Sequence, residues 1–323
     1  MKIAMIGSGA AGSVFASYLR RGGADITLVD PYQEHMDKVA KDGMTFTIYP
    51  DQTFQLTGFK TAYTADDIGI MDIVIFMTKT TTLRSAVESA KPCIGPNTVL
   101  VSLLNGLGNE DKLLEFVPGD RVIFGSGSQG TFLEGPGKCK ASPGARAIQL
   151  NMGPVEHSAL TDAAGEYLEK TFNAGGLAGK YWDDVRPKLW VKIVSNCCFN
   201  ALSALLRLRL KYILNDPHGL KLAENVVAEC CAVATASGCL LNKDVLMADI
   251  LAGKDKGIAD YYASMAQDVL MHRRQTEIDS LNGAVTEYGR RYGVPTPYNE
   301  VITEMICAIQ NNYAVQYDTE QQA

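Results

Sequence analysis

The sequence has no pair of cysteines in a CxxC spacing and only four histidines, so the usual makings of a zinc site are scarce. Basic residues are not in excess: 30 Lys and Arg against 36 Asp and Glu give a net charge of −6. Nothing in that balance would draw in nucleic acid or an anionic membrane surface. No apolar run reads as long enough to span a bilayer. The N-terminus, MKIAMIGSGAAG, passes straight into glycines and lacks the long apolar core of a signal peptide. Repeats, low-complexity segments and charge runs are missing as well. These absences predict a soluble protein of the cytoplasm, with no metal, no nucleic acid and no membrane among its partners. Five of the eight cysteines fall in apolar helical stretches, where a free thiol behaves as a small hydrophobe, in keeping with a reducing compartment. What is present is length and apolar content: 323 residues, 46% of them hydrophobic, enough for a sizeable core and for two domains.

Residues 1–181 read as an α/β domain. Lys2 to Ile6 is a short apolar run, a buried strand by its pattern. Gly7-Ser8-Gly9-Ala10-Ala11-Gly12 follows, then a helical stretch from Ser13 to Arg21, then a second strand from Ala24 to Val29 ending on Asp30. Strand, GxGxxG, helix, strand and acidic residue in this order make the dinucleotide fingerprint. Gly7 allows the tight turn, Gly9 lets the backbone approach a pyrophosphate, and Gly12 lets the helix pack closely. The free N–H groups and positive end of that helix then face the phosphates. A carboxylate at Asp30 accepts hydrogen bonds from ribose hydroxyls and repels a 2′-phosphate, which favours NAD; the competing role is to cap a helix starting near Glu34. Further strands are expected at Asp72 to Met77, Asn97 to Leu104, Arg121 to Gly125 and Ala147 to Leu150, with antiparallel edge strands between 125 and 151. Lys79 and Asn105 stand just past two of these strand ends, where ligands bind in open α/β sheets. Lys79 could contact cofactor or substrate or be an ordinary loop lysine. Asn105 could hold a carboxamide or belong to an Asn-Gly turn. A helix is expected from Ser158 to Asn173.

Residues 182–323 read as helices almost throughout. The segment with most chemistry is KIVSNCCFN, where Lys192, Asn196 and Asn200 stand four apart, stacked on one helix face amid apolar neighbours. That ridge is either a solvated polar stripe or the wall of a polar pocket with one ammonium and two amides. The helix carrying it is expected to run from Arg186 to Leu214, broken at Pro217 and Gly219. Others are expected at Leu220 to Ser237, from Asn242, at Ile258 to Gln267, at Thr276 to Tyr292 and at Asn299 to Gln316. Glu277 and Asp279 sit at an expected helix start, where carboxylates also serve as caps.

Taken together, GSGAAGS, Thr78-Lys79-Thr80, Asn105-Gly106, LWVKIVSNCCFNALSAL, SMAQD, TEIDSLNGAV and GVPTP resemble the ketopantoate reductase (2-dehydropantoate 2-reductase) family over nearly the whole length. The resemblance implies an N-terminal Rossmann dinucleotide-binding domain (1–181) and an all-α C-terminal substrate and catalytic domain (182–323). It implies NADP(H) or NAD(H) as cofactor and a small 2-oxo acid as substrate, in pantothenate biosynthesis. By the same resemblance Lys192 is the proton donor, and Glu277 the carboxylate near it. Asn196, Asn200, Ser264 and Asn105 contact substrate, and the Gly7–Gly12 loop, Lys79 and Asn105 contact cofactor. A homodimer is possible.

Three departures from the family pattern stand out. Asp30-Pro31 replaces the basic residue that NADPH-using members carry after the second strand. The stretch between Asp268 and Thr276 is one residue longer than usual. The run LRLRLKYIL is bulkier and more basic than is typical. Members with an acidic residue at the Asp30 position look like NAD-dependent D-2-hydroxyacid dehydrogenases, acting on a branched or aromatic 2-oxo acid. That is the alternative reading. A third, of another class, is a nucleotide-sensing protein without turnover.

Overall fold

The computed structural model describes residues 1–142, 147–253 and 262–316. The chain divides into two compact units, Met1–Val185 and from Arg186 onward.

In the first unit the apolar runs become parallel strands. β1 (Lys2–Ile6), β2 (Asp25–Val29), β5 (Lys60–Ala62), β6 (Met71–Phe76), β7 (Ile94–Ser102), β8 (Val122–Gly127), β11 (Leu150–Pro154) and β12 (Gly179–Tyr181) form one sheet in the order β12-β11-β8-β7-β6-β1-β2-β5. All pairings are parallel except β8 with β11. Both faces are buried, which is why these strands read as continuous apolar runs. Ile3 and Met5 point into one core and Ala4 and Ile6 into the other, and β6 divides Ile73 and Ile75 from Val74 and Phe76 in the same way. Helix α3 (Leu83–Ala90) and helix α4 (Asn109–Leu114) cover the second face.

The first face is covered by α1 (Ala10–Arg21) and α5 (Ala159–Gly175). A smaller sheet lies beyond α1: β3 (Met44–Ile48), β4 (Gln52–Leu56), β9 (Thr131–Gly135) and β10 (Lys138–Ala141), in the order β4-β3-β10-β9. α1 therefore packs on both sheets, and every residue from Gly12 to Leu19 is buried. The ring of Tyr18 meets that of Phe46 edge-on at 4.8 Å between centroids. α2 (Gln33–Asp42) follows β2 and buries His35, Met36 and Val39.

Among the described residues the second unit contains helices and no strand. Its elements are α6 (Arg186–Leu206), α7 (Leu210–Asn215), α8 (Pro217–Ala236), α9 (Lys243–Gly253), α10 (Ser264–Gln267), α11 (Asn282–Tyr292) and α12 (Pro297–Asn311). α6 packs against α8, α10 and α12.

The structure corrects several sequence expectations. α6 is long and apolar enough to cross a membrane by length and composition, contrary to expectation; 56% of its most apolar window is buried in the unit, as a core helix requires. The helix expected to reach Leu214 stops at Leu206, because Arg207 turns into the left-handed region at φ +56°. Pro217 opens a helix rather than breaking one: it lacks the N–H that a first turn leaves unused, and Asp216 caps it by accepting from His218 and Gly219, both at 2.9 Å. The strand expected at Ala147 to Leu150 lies at β11, where pairing with β8 begins at Leu150. The helix expected from Thr276 begins instead with a 3₁₀ turn, Ile278–Ser280, ahead of α11, and Glu277 makes no side-chain cap bond there. The last helix ends at Asn311, before a 3₁₀ turn at Tyr313–Val315. Of the helix expected at Ile258 to Gln267, residues 258–261 lie outside the described residues; α10 covers the end and continues as a π-turn, Asp268–His272.

Seven of the eight cysteines are buried and Cys307 is half-buried. Burial pushes the thiols of Cys93 and Cys231 up to about 11 and that of Cys139 up to about 12. They are protonated, and so poor nucleophiles, at neutral pH. An aromatic disulfide reagent is therefore expected to label at most one thiol of the native protein, Cys307, in the time it labels all eight in urea. Several fast-reacting native thiols would contradict this packing.

Candidate active site

The first unit gathers its candidate residues along one edge of the large sheet. β2, β1, β6 and β7 are neighbours and parallel, so Asp30, the Gly7–Gly12 loop, Lys79 and Asn105 follow the C-terminal ends of four adjacent strands. The chain leaves β1 for β2 on one side, while β6 flanks β1 on the other. This is the switch point at which open α/β sheets bind ligands.

Gly7 sits at φ +91°, and its amide donates to Val29 O at 2.9 Å. A Cβ on Gly12 would collide with the Gly7 carbonyl, so only glycine lets α1 start this close to the strand end. A Cβ on Gly9 would meet nothing within 4 Å; the backbone there faces open space. The N-cap of α1 is Gly9, which has no side chain to cap it. Ala10 and Ala11, half-buried, form its first turn, whose amides have no partner within the helix. Ser8 is 1% exposed and its hydroxyl has no partner among the described residues. These features fit a dinucleotide pyrophosphate.

Asp30 does not cap α2. Its Oδ2 accepts from Ser8 N at 2.7 Å and its Oδ1 from Tyr32 N at 2.9 Å. The carboxylate thereby joins the loop after β1 to the turn after β2. Lys79 is exposed and Asn105 half-buried. Their loops are tied together: the Thr80 hydroxyl donates to Asn105 O at 3.4 Å, the Asn109 amide donates to Asn105 O at 3.1 Å, and Lys112 Nζ donates to Thr80 O at 3.0 Å.

The second unit carries the other candidates. Lys192, Asn196 and Asn200 line one side of α6, and all three are half-buried, while Ile193, Val194, Cys197, Cys198 and Ala201 on the other sides are buried. Among the described residues, the side chains of Asn196 and Asn200 have no hydrogen-bonded partner. Half-buried amides with spare donors and acceptors can be met by water or by a polar ligand.

A buried network holds this helix. Asn282 Nδ2 donates to Cys197 O at 3.1 Å and to Asn299 Oδ1 at 3.0 Å. Asn299 donates from its side chain to Glu229 at 2.7 Å, and Glu229 also accepts the Tyr298 and Asn299 backbone amides, both at 2.9 Å. The network ties α6 to the segment that carries Glu277, which is half-buried. Ser264, exposed, starts α10, which also packs on α6. Sequence reasoning passed over Asn282, although it quoted the segment TEIDSLNG; an asparagine among apolar helix positions was the available signal.

Comparison with known proteins gives a consistent picture. Residues 3–155 match the family described as Ketopantoate reductase PanE/ApbA, and residues 184–310 match its C-terminal part, Ketopantoate reductase PanE/ApbA C terminal. A 2-dehydropantoate 2-reductase of Streptococcus pyogenes serotype M3 is 30% identical over 309 residues, 95% of this chain and 97% of that one. Among solved structures, D-mandelate dehydrogenase with NADH and anilino(oxo)acetate is similar at TM-score 0.82 and 27% identity, over 98% of this chain and all of that one. The 2-dehydropantoate 2-reductase of Geobacter metallireducens GS-15 is similar at TM-score 0.83 and 26% identity, over 95% of this chain and 99% of that one.

Asn282→Ala removes two buried hydrogen bonds, one to the Cys197 carbonyl and one to Asn299 Oδ1, which keeps only a weak thiol donor from Cys230 at 3.8 Å. It is expected to lower stability by about 1–3 kcal/mol, read from the urea midpoint at unchanged slope. An unmoved midpoint would strike the network from the account of α6.

Proposed function

We propose, from the premise that the chain belongs to the ketopantoate reductase family, that it reduces ketopantoate (2-dehydropantoate) to D-pantoate with Lys192 as proton donor. Membership makes it an NAD(P)H-dependent oxidoreductase acting on a keto group and its CH–OH counterpart. The observation that carries the finer reading is the ridge on α6: one ammonium and two amides, half-buried and one turn apart, on a helix otherwise packed in a core.

When bound, the nicotinamide supplies the hydride for the keto carbon. The first unit's task is to hold that cofactor: the loop Gly7–Gly12 takes the pyrophosphate on the amides of α1, Asp30 takes ribose hydroxyls, and Lys79 and Asn105 stand beside the nicotinamide half. Asp30 presents a carboxylate where a 2′-phosphate would lie, which favours NADH. The second unit's task is to hold the acid and move the proton. Lysine is a cation at neutral pH. Its ammonium at Lys192 stabilises the charge that builds on the carbonyl oxygen and delivers the proton to it, a contribution of roughly 10²–10⁴ in rate. Glu277 steadies that ammonium. Asn196 and Asn200 add fixed hydrogen bonds to the substrate without adding charge, and Ser264 offers a hydroxyl to its carboxylate.

A second reading, an NAD-dependent D-2-hydroxyacid dehydrogenase, draws on Asp30 and on the similarity to D-mandelate dehydrogenase with NADH. Oxidation of NADH and of NADPH with ketopantoate and with a branched or aromatic 2-oxo acid separates the two. A higher kcat/KM for ketopantoate is expected, and preference for the other acid would transfer the assignment. Lys192→Ala is expected to lose about 10²–10⁴ in turnover while binding coenzyme as before; undiminished turnover would remove Lys192 from the mechanism. Asp30→Asn, which removes the charge and keeps one acceptor, is expected to raise the NADPH-to-NADH ratio of kcat/KM about tenfold. A ratio that stays put would mean that Asp30 does not select the coenzyme.

A further inference from the structure

Behind the glycine loop lies a chain of buried hydrogen bonds that the reaction, as derived so far, does not use. His35 and Ser13 are both fully buried, at 0% exposure. The Gly137 amide, in the turn between β9 and β10, donates to His35 Nδ1 at 3.0 Å. A backbone N–H is a donor only, so Nδ1 is the unprotonated nitrogen. Burial lowers the pKa of the ring, against a smaller upward pull from the Asp30 carboxylate, so the imidazole is neutral and its one proton sits on Nε2. Nε2 lies 3.1 Å from Ser13 Oγ and donates to it. The Ser13 hydroxyl, its acceptor side engaged, spends its own proton on Ser8 O at 2.7 Å. Each donor has an acceptor, and the direction of the whole chain follows from its first link.

The end of that chain matters for the loop. The Ser8 carbonyl and the Gly9 amide belong to one planar trans peptide, in which C=O and N–H point in opposite directions. Holding the carbonyl inward turns the Gly9 N–H outward, and Gly9 is exposed with open space beside it. The preceding peptide is held separately, by the Ser8 amide on Asp30.

We propose that His35, acting through the Ser13 hydroxyl, is a positioning residue for coenzyme binding: it fixes the Ser8–Gly9 peptide so that the Gly9 amide faces the pyrophosphate. This rests on the reading of Gly7–Gly12 as the pyrophosphate loop. The small sheet thereby acquires a role, since its β9–β10 turn supplies the donor that sets the imidazole tautomer. Ser8 and Gly9 remain the groups beside the phosphate; His35 works one step behind them.

The test is binding rather than turnover. NADH and NADPH are titrated by fluorescence, with ADP and adenosine as competitors, on the wild type, Ser13→Ala, His35→Leu, the double variant, His35→Gln and Gly9→Val. Ser13→Ala and His35→Leu are each expected to weaken dinucleotide and ADP about tenfold and to leave adenosine, which has no phosphate, unchanged. The double variant should bind no more weakly than the weaker single one, because both cut the same path. His35→Gln, whose amide can accept from Gly137 and donate to Ser13, should recover most of the loss. A purely structural role would lower the melting temperature but affect adenosine and ADP alike, and that result overturns the proposal. Wild-type dinucleotide affinity in Ser13→Ala overturns it too, and this variant decides the matter should His35→Leu fail to fold. Gly9→Val separates the premise: if it abolishes dinucleotide binding while Ser13→Ala does not weaken it, the loop reading stands and only His35 is excluded. If Gly9→Val binds normally, the loop reading falls and the role of His35 falls with it.

Discussion

The first unit depends on a contact that only a missing side chain permits, that of Gly12 against the Gly7 carbonyl. α1 packs against both sheets, with Phe15 against Phe172 and Tyr18 against Phe46. A helix so confined cannot tilt or slide to relieve a clash, because interiors are packed as densely as crystals. A methyl at Gly12 would lift the helix N-terminus off the strand end or strain the loop. The same confinement makes the loop useful. Amides held in place before a ligand arrives lose little freedom when it binds, and affinity gained this way needs no extra contact. Two links reinforce the arrangement, a part-buried one from the Ser8 amide to Asp30 and a buried one from Ser13 to the Ser8 carbonyl. The loop's geometry thus comes from the core beneath it as well as from its glycines.

The second unit meets a different problem. α6 must bury most of its surface and still present an ammonium and two amides. Apolar packing confines a helix but is not directional, so a hydrogen bond adds a constraint on rotation and register that packing alone does not supply. The network Glu229–Asn299–Asn282–Cys197 O is directional and links α8, α12, α11 and α6. Polar groups buried this deeply would be costly without partners, and nearly all of these have one. The exception is the Asn282 side-chain oxygen, buried with no partner among the described residues. The network sets the rotation of α6, and with it the direction in which Lys192, Asn196 and Asn200 project.

How much of this could be read from the chain alone follows from the range of the forces involved. The fingerprint was legible because each of its parts is local: a strand, three glycines, a helix and a carboxylate within thirty residues. The ridge on α6 was legible because spacing by four survives any tertiary context. Half of the small sheet was expected, as antiparallel strands between 125 and 151 where β9 and β10 lie, but Met44–Ile48 and Gln52–Leu56 escaped notice although they alternate well, because β3 pairs in parallel with β10, ninety residues on. Helix ends were misjudged where a non-glycine residue turns left-handed, as at Arg207, since nothing in an arginine announces that conformation. Asn282 and His35 were passed over because their partners, Cys197 O and the Gly137 amide, are backbone groups distant in sequence. Backbone groups carry no sequence signal at all.

In the proposed reading, coenzyme choice and substrate choice rest on different units. Asp30 ends one strand of the first unit and is the residue proposed to meet a 2′-phosphate or its absence. The α6 ridge belongs to the second unit and is proposed to meet a carbonyl and the groups beside it. The hydrogen bonds described for Asp30 join residues of the first unit, and those described for Asn282 join residues of the second. A carboxylate at Asp30 is thus compatible with ketopantoate, and similarity to an NADH-bound D-mandelate dehydrogenase does not bring its acid along with its coenzyme. The roles proposed for Lys192, Asn196 and Asn200 would serve any 2-oxo acid, because the charge developing on that oxygen is the same for all of them. Discrimination among acids has to come from side chains that meet the rest of the molecule, where one methylene in an apolar pocket is worth only about 1–3 kcal/mol.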